Sequence, residues 1–212
     1  TKSDGSYLYI TTDLATILYR QNNIGYDKAL YIVDNRQSLH FKQLFDSIKF
    51  FNFNNLEHEH VSYGTLNDSE GNPFKTRDGG TKPLSELFEE TYHYIEKIND
   101  SLDKSTISEL TNSVLTYSDL ITNRKTDYKF DLEKFTNVNG KTGIYVQYSQ
   151  VRAKKLLENI ENQNRKLTSL ILNDTDKHLL SKLFLFGYFL QQSSSLNEPH
   201  HLASYLYEIS NL

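Results

Sequence analysis

The sequence of 212 residues contains no cysteine, no methionine and no tryptophan, and only three prolines. Without cysteine the chain can form neither a disulfide framework nor a thiolate zinc site, and a reducing cytoplasm is the expected compartment. Its most apolar stretch, LLSKLFLFGYFL at 179–190, is shorter than the roughly 20 residues that a membrane helix needs, and it contains Lys182. We therefore expect a buried helix there and no contact with a membrane.

Because the chain begins at Thr1 and lacks methionine, we expect it to be part of a longer protein. Its formal charge of −4 excludes the overall basic field that is typical of proteins binding nucleic acid through net charge alone. The aromatic content of 13% argues against disorder. The length suggests one large domain or two small ones.

The first third of the chain has the pattern of an α/β fold. Alternation around Tyr7 and Tyr9, followed by Thr11-Thr12 and apolar residues at helical spacing, predicts a strand, a threonine N-cap and a helix. The stretches 29–34 and 58–66 are typical of strands, and the stretch between them predicts a helix. Strand, helix and strand at this spacing indicate a parallel sheet with a crossover helix.

From Ser85 onward the pattern is helical almost throughout. The change of composition at FTNVNGKTG, 135–143, indicates a domain boundary. We therefore predict an α/β region followed by an all-α region. The predicted parts are 1–105, the end of an α/β domain; 106–136, a helical connector; and 137–212, the start of a helical domain.

Three polar residues lie where the predicted α/β fold would place a ligand. Tyr9 and Asp13 flank the predicted strand-to-helix turn, and Gln37 follows the strand 29–34. Ligands of open α/β sheets bind beyond the carboxyl ends of the strands, and a carboxylate beside a hydroxyl suits a guanidinium. Two alternatives remain. Asp13 could only stabilise a helix N-terminus, and Gln37 could be a solvated loop residue.

Two histidines, His58 and His60, alternate along the second predicted strand and share one face. A metal site on this pair is conceivable, but no third ligand is near in the sequence. We therefore predict no metal site.

A segment rich in turn-forming residues carries two cations, Lys75 and Arg77, before Asp78-Gly79-Gly80. A mobile cationic loop can close on a bound nucleotide and stabilise charge on phosphate oxygens. A solvated basic hairpin is the alternative. The segment has neither the P-loop spacing nor the dinucleotide fingerprint.

Several blocks together resemble the arginyl-tRNA synthetase family of class I aminoacyl-tRNA synthetases. They occur in the family's order and cover essentially the whole chain. They are KSDGSYLYITTDLA, YIVDNRQSLHFKQ, LEHEHVSYGTLNDSEGNPFKTRDGG, SDLITNRKTDYKFDLEKF, GKTGIYVQYSQVRAKKLL and EPHHLASYLYEISNL. The last block resembles the helical anticodon-binding domain named for its D-A-L-R motif, although HHLASYLYEI lacks the signature arginine.

The resemblance implies a role for each matching residue. Tyr9, Asp13 and Gln37 match the positions that hold the substrate arginine, with Asp13 on the guanidinium. His60 and Val61 match the segment along the adenosine of ATP. The stretch FKTR stands where class I enzymes carry the K-M-S-K loop, which implies ATP contacts for Phe74, Lys75 and Thr76 and phosphate-facing catalytic roles for Lys75 and Arg77.

The implied fold is the second half of a class I Rossmann-like catalytic domain followed by a helical anticodon-binding domain. The implied reaction activates L-arginine with ATP, accompanied by Mg²⁺, and transfers the arginyl group to tRNA(Arg). Local basic residues are candidates for contact with the tRNA: Arg152, Lys154, Lys155, Arg165 and Lys166. A solvated helix face is the alternative for them. The expected full-length protein is a cytoplasmic monomer.

The sequence lacks an H-I-G-H-type motif, which the family carries in the first half of the catalytic domain. We therefore expect these 212 residues alone to be unable to activate arginine. Two other hypotheses compete with the enzyme: a non-catalytic tRNA-binding or regulatory fragment of a synthetase, and a histidine-based metalloprotein.

Overall fold

A computed structural model describes residues 2–53, 56–68, 70–72, 82–161 and 171–212. The chain divides into two compact units, Thr1–Thr65 and Leu66–Leu212. None of the helices among the described residues is long and apolar enough to cross a membrane.

The first unit is built on two parallel strands. Helix α1 spans Tyr9–Asn23 and is followed by strand β1, Lys28–Asp34. A short 3-10 turn, Asn35–Gln37, leads into helix α2, Ser38–Phe50, and strand β2 covers Glu57–Tyr63. The strands pair in register from Lys28 with Glu57 to Asp34 with Tyr63. The predicted parallel strand–helix–strand unit is thus confirmed.

The core of the first unit lies between α1, α2 and one face of the sheet. Ile17, Phe41, Leu44 and Ile48 are buried there, and Tyr31 and Val33 of β1 pack against them, among other partly buried apolar residues. Alternate residues of a strand point to opposite faces, and Leu30 and Ile32 on the other face of β1 are accordingly exposed.

The start of α1 corrects the sequence-based prediction. The predicted strand around Tyr7 and Tyr9 is wrong, because α1 already begins at Tyr9 and Leu8 is its N-cap. Thr12 therefore does not cap the helix, and Asp13 is not in its first turn. The helix starts early because Ile10, Leu14 and Ile17 form one apolar face at helical spacing and pack into the core.

The second unit is mainly helical. Its helices are α3 Leu84–Ile98, α4 Lys104–Ile121, α5 Leu132–Phe135, α6 Gly143–Glu161, α7 Asp174–Phe184, α8 Phe186–Leu196 and α9 His200–Ser210. Two short strands, β3 at Leu66–Asn67 and β4 at Tyr128–Lys129, pair in parallel. The predicted domain limits at 105 and 136 stay predictions.

The core of the second unit has two parts. One is apolar and contains Leu87, Ile95, Ile107, Val114, Phe130 and Phe135. The other lies around Tyr205, which is 2% exposed and stacks on Phe189 at 4.8 Å between ring centroids.

The prediction of one buried helix over 179–190 is wrong, because the helix breaks at Leu185 and Phe184 is 86% exposed. A period-3.6 apolar pattern does not by itself tell a buried face from an uncovered one.

Candidate functional site

The candidate site lies at the carboxyl end of β1 in the first unit. Tyr9 and Asp13 are four residues apart on α1, which places them on one face of the helix. Tyr9 is 81% exposed, and the amine of Lys2 lies 5.6 Å from the centre of its ring. The side chain of Asp13 is 44% exposed. Both polar groups are therefore accessible to a ligand.

Asp13 is joined to α2 by a residue that the sequence analysis did not single out. Nε2 of His40 lies 2.7 Å from Oδ2 of Asp13. His40 stands three residues after Gln37, in the first turn of α2. The contact therefore brings Asp13 to the end of α2 at which Gln37 lies. The spacing Q-S-L-H at a helix start was the signal that could have revealed it.

Gln37 ends the short turn that follows β1 and is the N-cap of α2. Its side chain is exposed. Gln37 thus follows the carboxyl end of β1, as predicted from the sequence. Tyr9, Asp13 and Gln37 present a hydroxyl, a carboxylate and an amide, and each of these groups can accept a hydrogen bond from a cationic donor.

A second carboxylate at the same strand end, Asp34, is already engaged. The guanidinium of Arg36 donates to both of its oxygens, at 2.9 Å from Nε and 2.8 Å from Nη2. The hydrogen bonds from the Arg36 side chain, and then from its backbone amide, lower the pKa of Asp34 below its ordinary value. Asp13 has no such internal guanidinium partner among the described residues, and its Oδ1 accepts no hydrogen bond from them. Of these two carboxylates, Asp34 is held by an internal guanidinium and Asp13 is not.

His60 and Val61 lie on β2 beside this strand end. Nε2 of His60 donates to the carbonyl oxygen of Val33 at 2.9 Å, since a carbonyl can only accept. The imidazole also stacks on Phe41, with 4.5 Å between ring centroids. Val61 is only 7% exposed.

The pair His58 and His60 has no third ligand close by among the described residues. Nδ1 of His58 lies 3.5 Å from the hydroxyl of Tyr31, its Nε2 is buried without a partner, and burial lowers its pKa. The described residues contain one group of three potential metal ligands that lie close together. It consists of Glu198, His200 and His201 in the second unit. There the amine of Lys125 lies 2.7 Å from Oε1 of Glu198, and such a cation opposes metal binding.

Some of the predicted site residues lie outside the part of the chain that the structure describes. Phe74, Lys75, Thr76 and Arg77 lie outside the described residues, as do Arg165 and Lys166. Arg152, Lys154 and Lys155 lie on the exposed part of α6. The guanidinium carbon of Arg152 sits 5.7 Å from the centre of the Tyr148 ring.

Two family models match the chain. Residues 1–132 match the catalytic domain of class I tRNA synthetases of the arginine (R) type, and residues 146–212 match the DALR anticodon binding domain. The chain is 37% identical, over 221 aligned residues, to an arginine–tRNA ligase of Francisella tularensis subsp. novicida. It is 36% identical to one of Shewanella amazonensis. Each alignment covers 99% of this chain and 38% of the relative, so the chain spans well under half of their length.

Solved structures share the fold. An arginyl-tRNA synthetase of Thermus thermophilus superposes with a TM-score of 0.83 at 19% identity, covering 99% of this chain and 41% of that one. The enzyme of Plasmodium falciparum gives 0.77 at 24% identity, covering 100% and 38%. With the two family models and the curated relatives, this places the chain in the arginyl-tRNA synthetase family, with part of the class I catalytic domain followed by a DALR-type helical domain.

Proposed function

We propose that the whole protein carrying this chain is an arginine–tRNA ligase. It activates L-arginine with ATP to arginyl-adenylate, releases pyrophosphate, and transfers the arginyl group to tRNA(Arg). The observation that carries the proposal is the 37% identity to an arginine–tRNA ligase along 99% of the chain. We further propose that the protein works in the cytoplasm as a monomer, away from membranes.

In this proposal the arginine side chain binds at the carboxyl end of β1. Asp13 takes the guanidinium, because a carboxylate and a guanidinium form parallel charge-assisted hydrogen bonds. Tyr9 shares a helix face with Asp13, and Gln37 adds a neutral amide at the start of α2. The accessibility of all three side chains supports this arrangement.

ATP contacts His60 and Val61 of β2 and, as the family resemblance implies, Phe74, Lys75 and Thr76. Lys75 and Arg77 stabilise the negative charge that develops on the phosphates when the arginine carboxylate attacks the α-phosphorus. Mg²⁺ enters as the ATP complex and so belongs to the substrate. No protein nucleophile is needed, since positioning and electrostatic stabilisation suffice for this step.

The tRNA contact runs through the basic residues of α6 and the segment after it: Arg152, Lys154, Lys155, Arg165 and Lys166. The exposure of the first three supports the proposal. Such contacts neutralise phosphates and release counterions, so binding weakens as salt rises.

Arginine-dependent exchange of pyrophosphate into ATP tests the function. The full-length protein, with tRNA(Arg) present, is expected to catalyse exchange that requires arginine. Lys75→Ala and Arg77→Ala are expected to lower kcat by about 100-fold each, the size of losing one stabilising cation. Lys104→Ala, at the exposed start of α4, is the matched control. Exchange that another amino acid supports better than arginine would refute the assignment.

A further inference from the structure

The contact between Asp13 and His40 is a polar link between two helices of the first unit. It joins α1 to the first turn of α2 at 2.7 Å between Oδ2 and Nε2. An ionised carboxylate only accepts hydrogen bonds, so Nε2 of His40 carries the hydrogen. His40 is thus a donor aimed at one oxygen of Asp13.

The His40 ring is held in place by its surroundings. It meets Phe41 edge-on, with 5.4 Å between ring centroids and 80° between planes, and Phe41 is 8% exposed in the core. The His40 side chain itself is 27% exposed. A donor fixed in this way restricts rotation of the Asp13 carboxylate, which at 44% exposure would otherwise be free to reorient in water.

Orientation matters because a guanidinium is a planar fork. Asp34 and Arg36, in the same unit, show the required geometry with two bonds of 2.9 and 2.8 Å. A carboxylate that is already held in the right plane loses less conformational entropy when the ligand arrives. We propose that His40 is a positioning residue that holds Asp13 ready for the arginine guanidinium; this inference rests on the proposed function.

The chemistry of the imidazole suits this task. The imidazole donates one hydrogen bond, from Nε2, to a single oxygen of Asp13. A lysine at position 40 would place a permanent cation beside the carboxylate and compete with the cationic substrate. Glutamine reaches about as far as Nε2 and donates a hydrogen bond without carrying a charge, so it is the conservative replacement.

The test uses the full-length protein in arginine-dependent pyrophosphate exchange. His40→Leu is expected to raise the KM for arginine by about tenfold, the size of one hydrogen bond to a charged group, with the KM for ATP unchanged. His40→Gln is expected to restore most of the lost affinity, and His40→Lys to be worse than His40→Leu. His93→Leu, an exposed histidine on α3, is the control and is expected to change neither KM.

A double-mutant comparison separates positioning from a general structural effect. In an Asp13→Asn background, His40→Leu is expected to add little, because its partner is already altered. Equal effects in both backgrounds, or a rise in the KM for ATP as large as that for arginine, would overturn the positioning role. If Asp13→Asn itself leaves the KM for arginine unchanged, the proposed arginine site fails. If Asp13→Asn raises the KM for arginine but the His40 variants leave it unchanged, the positioning role alone fails.

Discussion

The units 1–65 and 66–212 use their polar side chains in different ways. In the first, Asp13 pairs with His40 at an accessible strand end, above a small apolar core. In the second, two side chains donate to backbone carbonyls: the buried Tyr117 to that of Ala203 at 2.9 Å, and the partly buried Arg124 to that of Asn197 at 2.7 Å. Changes to Asp13 or His40 should therefore affect ligand binding, and changes to Tyr117 or Arg124 should affect stability.

The largest stability effect in the first unit is expected from its apolar core. Leu44 is 0% exposed, so Leu44→Ala is expected to lower the free energy of unfolding by about 2–5 kcal/mol through lost burial and a residual cavity. Leu39→Ala, at a position 67% exposed on the same helix, should cost less than about 0.5 kcal/mol. Urea denaturation of both variants measures the difference. Equal losses would show that the core of this unit is not where the structure places it.

In the second unit, two helical glycines are expected to respond with opposite sign. A Cβ at Gly143 would lie 2.3 Å from the carbonyl oxygen of Ser113, so Gly143→Ala is expected to push α6 from α4 and cost about 1–3 kcal/mol. Gly187 has open space around it, and Gly187→Ala should stabilise α8 by up to about 1 kcal/mol. Thermal unfolding of the two variants checks the signs, and a stable Gly143→Ala protein would contradict the helix crossing.

Tyr117 provides a smaller effect that depends on pH. Tyr117→Phe removes the hydrogen bond to Ala203 and is expected to cost about 1 kcal/mol at neutral pH. Burial raises the pKa of Tyr117 from 10.0 to about 12. The folded state therefore holds this proton more tightly, and the resulting stability is complete below pH 10 and is lost as the pH rises toward 12.

The difference in free energy of unfolding between wild type and Tyr117→Phe should accordingly become smaller as the pH rises from 10 toward 12. Denaturation curves at several pH values measure it. A gap that stays constant from neutral to strongly alkaline pH would argue against a buried phenol at this position.

The smallest stability effect is expected on α6. Replacing Arg152, Lys154 and Lys155 by glutamine should change the free energy of unfolding by less than about 0.5 kcal/mol each, because the side chains are exposed. The full-length variant should nevertheless show a shallower dependence of tRNA affinity on salt. An unchanged slope would remove these residues from the proposed interface.

The sequence predicted the parallel strands and their crossover helix because both strands have clear apolar patterns bounded by turn residues. It missed the start of α1, because the alternation around Tyr7 and Tyr9 runs directly into the first turn of the helix at Tyr9. It missed His40 because the spacing Q-S-L-H shows only that His40 and Gln37 share one end of α2, and not that α1 packs against that end. The break at Leu185 escaped prediction since no proline or charge marks it.

The arginine site was predicted from strand ends and from the family resemblance. The roles of Tyr9, Asp13 and Gln37 remain predictions, although the structure places Gln37 beyond a strand end and Asp13 against the first turn of α2. Asp34 differs from Asp13 in that it is paired with Arg36, two residues further along the chain.

The most direct test compares arginine with citrulline, its uncharged analogue, as competitors in pyrophosphate exchange by the full-length protein. If Asp13 binds the guanidinium, Asp13→Asn should lower kcat/KM for arginine by about 100-fold and leave citrulline binding almost unchanged. The variant should therefore lose most of the preference for arginine over citrulline. An Asp13→Asn protein that still prefers arginine as strongly as wild type would contradict the account.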